Sequence, residues 1–143
     1  HLIPRAIEAA TGGAPLKIFG EDYPTPDGTC LRDYIHVTDL AAAHVAALER
    51  LDAGGASGTF NLGTERPASV LDVAAAVERV TGRRVAREVA ERRAGDPAAL
   101  FALAAKARIE LGWRPSRVEL DTIVGDAWRW HSTRPFGYGD RTT

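Results

Sequence analysis

The chain has 143 residues, 45% of them hydrophobic and 26% charged, with a formal net charge of −1. That length supports one hydrophobic core, and near-neutrality excludes an overall field that would draw nucleic acid or anionic lipid. No apolar run reaches the length of a membrane span, and the single cysteine, Cys30, excludes an internal disulfide and fits a reducing, cytoplasmic compartment.

The chain contains no methionine and opens on "HLIPRAIEAATGG", a helix pattern already in stride, which reads as a piece of a longer protein. Over residues 2–11, Leu2, Ile3, Ile7 and Ala10 share one helical stripe, with Pro4 in the first turn, where its missing N–H costs nothing. "LKIFG", 16–20, predicts a short strand. The loop 21–30 carries the turn chemistry "PTPDG", and 31–37 reads as extended. Residues 38–51 predict a helix capped by Thr38 or Asp39. "GGASG" breaks it, and "TFNLG", 59–63, predicts a buried strand.

Ser69 is placed to cap a helix in which Val70, Val73, Val77 and Val80 share a face, and Gly82 ends it. Alternation predicts a strand over 84–90. "ERRAGDPA" is a charged turn, residues about 98–111 fit a helix pattern, and 119–131 predicts a last amphipathic helix. The aromatic tail "RPFGYGDRTT" reads as anchored by its rings and fraying. Helices alternate with short strands, so the expected class is α/β: one small mixed α/β domain over 1–143.

Several chemistries lack their residues. The nearest approach to a dinucleotide fingerprint, Gly54-Gly55-x-x-Gly58, follows a helix and precedes a predicted strand, the reverse of the required order. There is no phosphate loop and no tyrosine followed four residues later by lysine. The four histidines have no metal-ligand spacing, and no serine sits in a nucleophile elbow.

Two arginine loops remain. The proline-stiffened loop delivers Arg32 onto an extended segment, and Arg92 and Arg93 lie just before Gly95, Asp96 and Pro97. Guanidinium forks on rigid turns match the charge and planar oxygens of a diphosphate, and a nearby aspartate can accept bonds from vicinal hydroxyls. Residue types alone leave a second reading open, arginines solvated or paired with neighbouring acids. His44 falls on a stripe with Leu40, Leu48 and Leu51 and is expected to face the core, bonded to a carbonyl. Asp33 and His36 are expected to brace the loop rather than move protons. The spacing of Trp113, Trp128 and Trp130 suits packing, not base stacking.

"IFGEDYPTPDGTCLRDYIHVTDLAAAHVAALE", "FNLGTERPASVLDV" and "ERRAGDPAAL" resemble the C-terminal half of the UDP-glucose (UDP-galactose) 4-epimerases of the extended short-chain dehydrogenase family. The resemblance implies an NAD-dependent isomerase of galactose metabolism whose missing N-terminal half, a Rossmann domain, holds NAD and the catalytic tyrosine and lysine. It implies a UDP-sugar substrate, no nucleic-acid or membrane partner, and a homodimer for the complete protein, with this piece inactive alone. It places the uridine-binding strand on Lys17, Ile18 and Phe19, with the Phe19 ring against the base and Val70 beside it. It places His1 and Leu2 at a helix start facing the diphosphate, Arg32 and Arg93 on that diphosphate, and Asp96 on the ribose hydroxyls. Leu100 falls beside the sugar's C2 substituent, which leaves UDP-glucose alone and N-acetylated sugars both open. His1, where relatives often carry asparagine, and the run "LFALAAKA" depart from the pattern. Two alternatives stand beside this reading: another NAD-dependent sugar-nucleotide dehydratase, decarboxylase or epimerase, and a non-catalytic nucleotide-binding module.

Overall fold

In a computed structural model, which describes residues 1–134 and Gly137, three helices carry the main core. Helix α1, Leu2–Ala10, buries Ala6, Ile7, Ala9 and Ala10. Strand β1 is Leu16–Phe19, β2 is Leu31–Arg32, α2 is Val37–Asp52 and β3 is Ala68–Ser69. Helix α3, Val70–Thr81, buries Val73, Ala74, Ala76 and Val77. Then come β4, Arg87–Ala90; β5, Ala99–Leu100; α4, Ala105–Glu110; and α5, Leu120–Thr133, which buries Ile123 and Val124. Helices α1, α3 and α5 meet through small residues at α1 and α3, which lets the backbones approach closely. Burying a Val or Leu side chain there contributes about 1.5–3 kcal/mol.

Helix α3 starts where Ser69 and Asp72 satisfy each other. The Ser69 hydroxyl accepts from the Asp72 N–H at 2.9 Å, and Asp72 Oδ2 accepts from the Ser69 N–H at 2.9 Å. It ends at Gly82, whose φ of 68° closes the helix. A second cluster of Ala43, Ala104, Ala107 and Trp113 lies under Ile35, Phe60, Leu62 and Leu111.

Two small sheets frame the molecule. β1 pairs parallel with β4, Leu16 opposite Arg87 and Phe19 opposite Ala90. β2 lies between β3, antiparallel to it, and β5, parallel to it, so Arg32 sits between Ala68 and Leu100.

Several expectations need correction. Residues 98–104 are not helical: the Leu31 N–H donates to the Ala98 carbonyl at 2.8 Å, pairing this run with β2, and α4 begins only at Ala105. The Glu65 carboxylate accepts from the Ala104 N–H at 3.1 Å and fixes that late start. Tertiary pairing here overrides helix propensity. "TFNLG" joins neither sheet among the described residues; Phe60 and Leu62 pack inward while Thr59 and Asn61 are exposed.

His44 is exposed, as are Leu40, Leu48 and Leu51. Helix α2 turns its alanine face, through Ala43, toward the second cluster, and the stripe of larger side chains faces out. His44 Nδ1 does lie 2.8 Å from the Leu40 carbonyl oxygen. The cap of α2 is His36, whose Nδ1 accepts from the Thr38 N–H at 3.1 Å, and not Thr38 or Asp39. Asp39 is instead buried, accepting from the Ser116 and Arg117 N–H groups at 3.0 and 2.8 Å. Only Arg87–Ala90 of the strand expected over 84–90 is laddered. The aromatic tail lies outside the described residues apart from Arg134 and Gly137.

Candidate functional site

Strand β1 alternates. Leu16 and Ile18 are buried on the core side, Lys17 is exposed and Phe19 half-buried on the other. Leu16 and Gly20 donate their N–H groups to Ala86 and Ala90 on the β4 side. By the parallel-ladder pattern, the N–H and C=O groups of Lys17 and Phe19 then point to the free edge of this two-stranded sheet.

That edge forms one wall of a cavity of about 660 Å³. His1, Leu2 and Arg5 at the start of α1 close one end. Cys30, Arg32 and Tyr34 come from the β2 segment, Val70 from the first residue of α3, and Arg93 and Asp96 from the turn after β4. At the α1 start no side chain caps the first turn and Pro4 has no N–H, so the N–H groups of Leu2 and Ile3 lack intrahelical acceptors.

Eight of the ten residues singled out in the sequence line this cavity: His1, Leu2, Lys17, Phe19, Arg32, Val70, Arg93 and Asp96. Ile18 does not; its side chain is in the core. Leu100 lies in a neighbouring cavity of about 570 Å³ with Asp33, Asn61, Phe101, Ala102 and Leu103, and Arg32 borders both spaces. The sequence reading passed over Arg5, Cys30 and Tyr34. Two of these had a periodic signal. Arg5 is one helical turn from His1, and Tyr34 is two residues from Arg32 on an extended segment.

The loop is braced from behind. The Asp27 carboxylate accepts from the Thr29 N–H at 2.9 Å, from the Thr29 hydroxyl at 2.8 Å and from the Ser69 hydroxyl. Partial burial pushes Asp27 up, but these hydrogen bonds outweigh it and hold its carboxyl below the ordinary value. Gly28, at φ +80°, turns where a Cβ would lie 2.0 Å from the Glu21 carbonyl oxygen. Asp33 clamps the next loop, accepting from the Thr64 N–H at 3.0 Å and from the Thr64 hydroxyl. His36 Nδ1 accepts from the Thr38 N–H, so Nε2 carries the proton and donates to Asp126 at 3.0 Å.

Charge in the cavity is mostly positive: Arg5, Lys17, Arg32 and Arg93 against Asp96. Arg32 donates from Nη1 to the Leu31 and Pro97 carbonyls at 2.8 and 3.0 Å, and from Nη2 to Asp96 Oδ1 at 2.9 Å. Of its five N–H donors, Nε–H and one on Nη2 remain. Asp96 Oδ2 has no partner among the described residues. Arg5 pairs with Glu8 at 3.0 Å. Arg93 meets no carboxylate among the described residues; its guanidinium lies over the Phe19 ring, 3.7 Å from the centroid. Arg92 points elsewhere, to Asp22 at 2.6 Å and over the Tyr23 ring at 4.1 Å. Burial pushes the Tyr34 phenol up to about 12, against a lowering by Arg32, so it is a neutral donor and not a base. No group of three or more His, Cys, Asp or Glu among the described residues could hold a metal ion. No described helix is long and apolar enough to cross a membrane.

Comparison with known proteins gives this geometry its context. Residues 1–63 match the model of the NAD dependent epimerase/dehydratase family. The UDP-glucose 4-epimerase of Lacticaseibacillus casei is 46% identical over 142 residues, 99% of this chain and 43% of that protein. A solved UDP-glucose 4-epimerase, 49% identical, superposes with a TM-score of 0.91 over 96% of this chain and 42% of its own. The Bifidobacterium longum UDP-glucose 4-epimerase, solved in complex with NAD+ and UDP, is 39% identical with a TM-score of 0.88, covering 96% of this chain and 41% of its own. The chain thus spans about two fifths of the length of the relatives it matches. Over nearly its whole length the chain is similar, in sequence and in fold, to part of these UDP-glucose 4-epimerases.

Proposed function

We propose that this chain is the UDP-sugar-binding half of an NAD-dependent UDP-glucose/UDP-galactose 4-epimerase, inactive by itself, whose complete form is a cytoplasmic homodimer. The observation that carries the reading is the cavity into which two separate loops bring Arg32 and Arg93, with Asp96 paired to Arg32. A uracil ring offers alternating C=O and N–H groups along one edge, which suits the free backbone groups of Lys17 and Phe19. Val70 supplies an apolar contact beside it. A diphosphate suits the remaining Arg32 donors, the Arg93 guanidinium and the uncapped start of α1. The open Oδ2 of Asp96 suits a ribose diol. The volume, about 660 Å³, falls in the usual range for a ligand of this size. The adjoining space beyond Arg32, where Leu100 lies, would take the sugar.

Among the described residues, no glycine-rich turn has the order of a dinucleotide site. The Gly54-Gly55-Ala56-Ser57-Gly58 run follows α2 and opens no helix, so no glycine-rich turn here aims backbone N–H groups at a pyrophosphate. In this reading NAD and the oxidation of the sugar are assigned to the rest of the complete protein. This half grips the nucleotide, and binding energy gained remote from the reacting carbon positions the sugar.

Calorimetry with UDP, uridine and ADP tests the assignment. UDP should bind this chain, uridine much more weakly, and ADP not measurably, because a purine presents a different edge to Lys17 and Phe19. Arg93→Ala should weaken UDP about 10- to 100-fold, the loss of a charged hydrogen bond of roughly 1.5–3 kcal/mol. Absence of UDP binding at millimolar concentration would remove the reading.

A further inference from the structure

We propose that Arg93 and a bound pyrimidine base compete for one face of Phe19, so that ligand entry lifts the guanidinium off the ring and delivers it to the phosphates. The inference rests on the reading of the cavity as a UDP site and adds a step to it. The guanidinium carbon sits 3.7 Å from the Phe19 centroid, which is direct contact. A second planar group between them would need contact on both sides, a separation of roughly 7 Å. That face of Phe19 therefore holds Arg93 or a base, but not both.

The surroundings let the side chain move alone. Arg93 is exposed and has no carboxylate partner among the described residues, so only the ring holds its charged end. Its backbone is fixed, because the Asp96 N–H donates to the Arg93 carbonyl at 3.2 Å across the turn that contains Gly95 at φ +81°. Phe19 is fixed by the β1–β4 ladder. Two anchored backbones with one flexible side chain make an exchange by rotamer change, without loop opening. Arg32 cannot do the same, since three hydrogen bonds hold it to β2 and to the 96–97 turn.

The consequence is a split between ligands with and without phosphate. A nucleoside must displace Arg93 and gains nothing in return. A nucleoside diphosphate displaces it and then pairs with it. An exposed cation–ring contact is worth a factor of about two to five in an equilibrium constant. In the native chain that factor is subtracted from the affinity for uridine.

The test is titration of uridine and of UDP into native, Arg93→Ala and Phe19→Leu chains, followed by ligand-observed NMR and by calorimetry. Arg93→Ala should tighten uridine about two- to fivefold while weakening UDP at least tenfold. In a Phe19→Leu background the gain for uridine should vanish, because there is no ring left to uncover. Arg93→Met, which keeps the apolar stem without the charge, should weaken UDP as Arg93→Ala does and guards against a local repacking artefact. If Arg93→Ala weakens UDP and leaves uridine unchanged or weaker, the competition is wrong and the UDP site stands. If native protein binds neither ligand, both fail.

Discussion

Arg32 and Asp96 are 64 positions apart in sequence and form a 2.9 Å ion pair in the lining of the cavity. The same guanidinium reaches the Pro97 carbonyl, so one side chain fastens the turn after β4 to β2. Two of the loops that build the site are thus tied before any ligand arrives. This reduces the conformational freedom that a ligand would otherwise have to freeze.

That arrangement makes Arg32→Lys a severe change even though the charge is kept. A lysine ammonium is a point charge and cannot span the Leu31 and Pro97 carbonyls and Asp96 together. UDP affinity should fall about tenfold, or about 1.4 kcal/mol, with a loss of stability of about 1 kcal/mol. Calorimetry and urea unfolding read the two effects; unchanged values in both would show that the clasp is incidental.

Ser69 serves two partners and should tolerate alanine poorly. It is buried, caps α3 through the Asp72 N–H, and donates to Asp27 in the loop below. Loss of a cap costs about 0.5–2 kcal/mol, and an acceptor left unsatisfied adds about 1–3 kcal/mol. Ser69→Ala should therefore lower the unfolding free energy by about 2–4 kcal/mol in urea titration. A drop under about 0.5 kcal/mol would mean that Asp27 finds water instead.

Val77 and Leu48 should respond in opposite fashion to loss of apolar atoms. Val77 is fully buried where α3 meets α1 and α5, so Val77→Ala should cost about 2–3 kcal/mol from lost transfer energy and a residual cavity. Leu48 is 66% exposed on α2, and Leu48→Gln should stay within about 0.5 kcal/mol of the native chain. Thermal or urea unfolding checks the buried face of α3 with Val77→Ala and the outward face of α2 with Leu48→Gln.

Stability should fall in acid because of carboxylates held by hydrogen bonds. Burial opposes ionisation of Asp39, but the N–H groups of Arg117 and Ser116 and the Ser116 hydroxyl outweigh it and lower its pKa below 3.8. The hydrogen bond from His36 does the same for Asp126, against some desolvation and with help from Arg129 and Arg117. A lowered folded value means that the unfolded chain takes up protons first on acidification. The stabilisation is therefore fully present above the unfolded value near 3.8 and is lost as pH falls through the folded values. The urea midpoint should be flat above about pH 5 and drop below about pH 4. Asp39→Asn should flatten that drop; an identical slope in both proteins would remove Asp39 as a cause.

Local signals in the sequence carried much of this molecule. The apolar stripes of α1, α3 and α5 specify their buried faces, and Ser69 and Gly82 mark the ends of α3, because capping and helical periodicity act within a few residues. The two arginine turns and Asp96 were visible as chemistry and, by family resemblance, as parts of one site. Only the tertiary structure decided what those groups do to each other. Leu31–Arg32 recruits Ala99–Leu100 into a sheet against the helix pattern of that run, since a ladder with a distant strand outweighs weak local propensity. The fold turns the leucines and His44 of α2 outward, because the opposite face presents Ala43 to the second cluster. It also commits most of Arg32 to Pro97 and Asp96 and lays Arg93 on Phe19. Those partners lie 64 or more positions apart, so no pattern confined to neighbouring residues encodes the pairings.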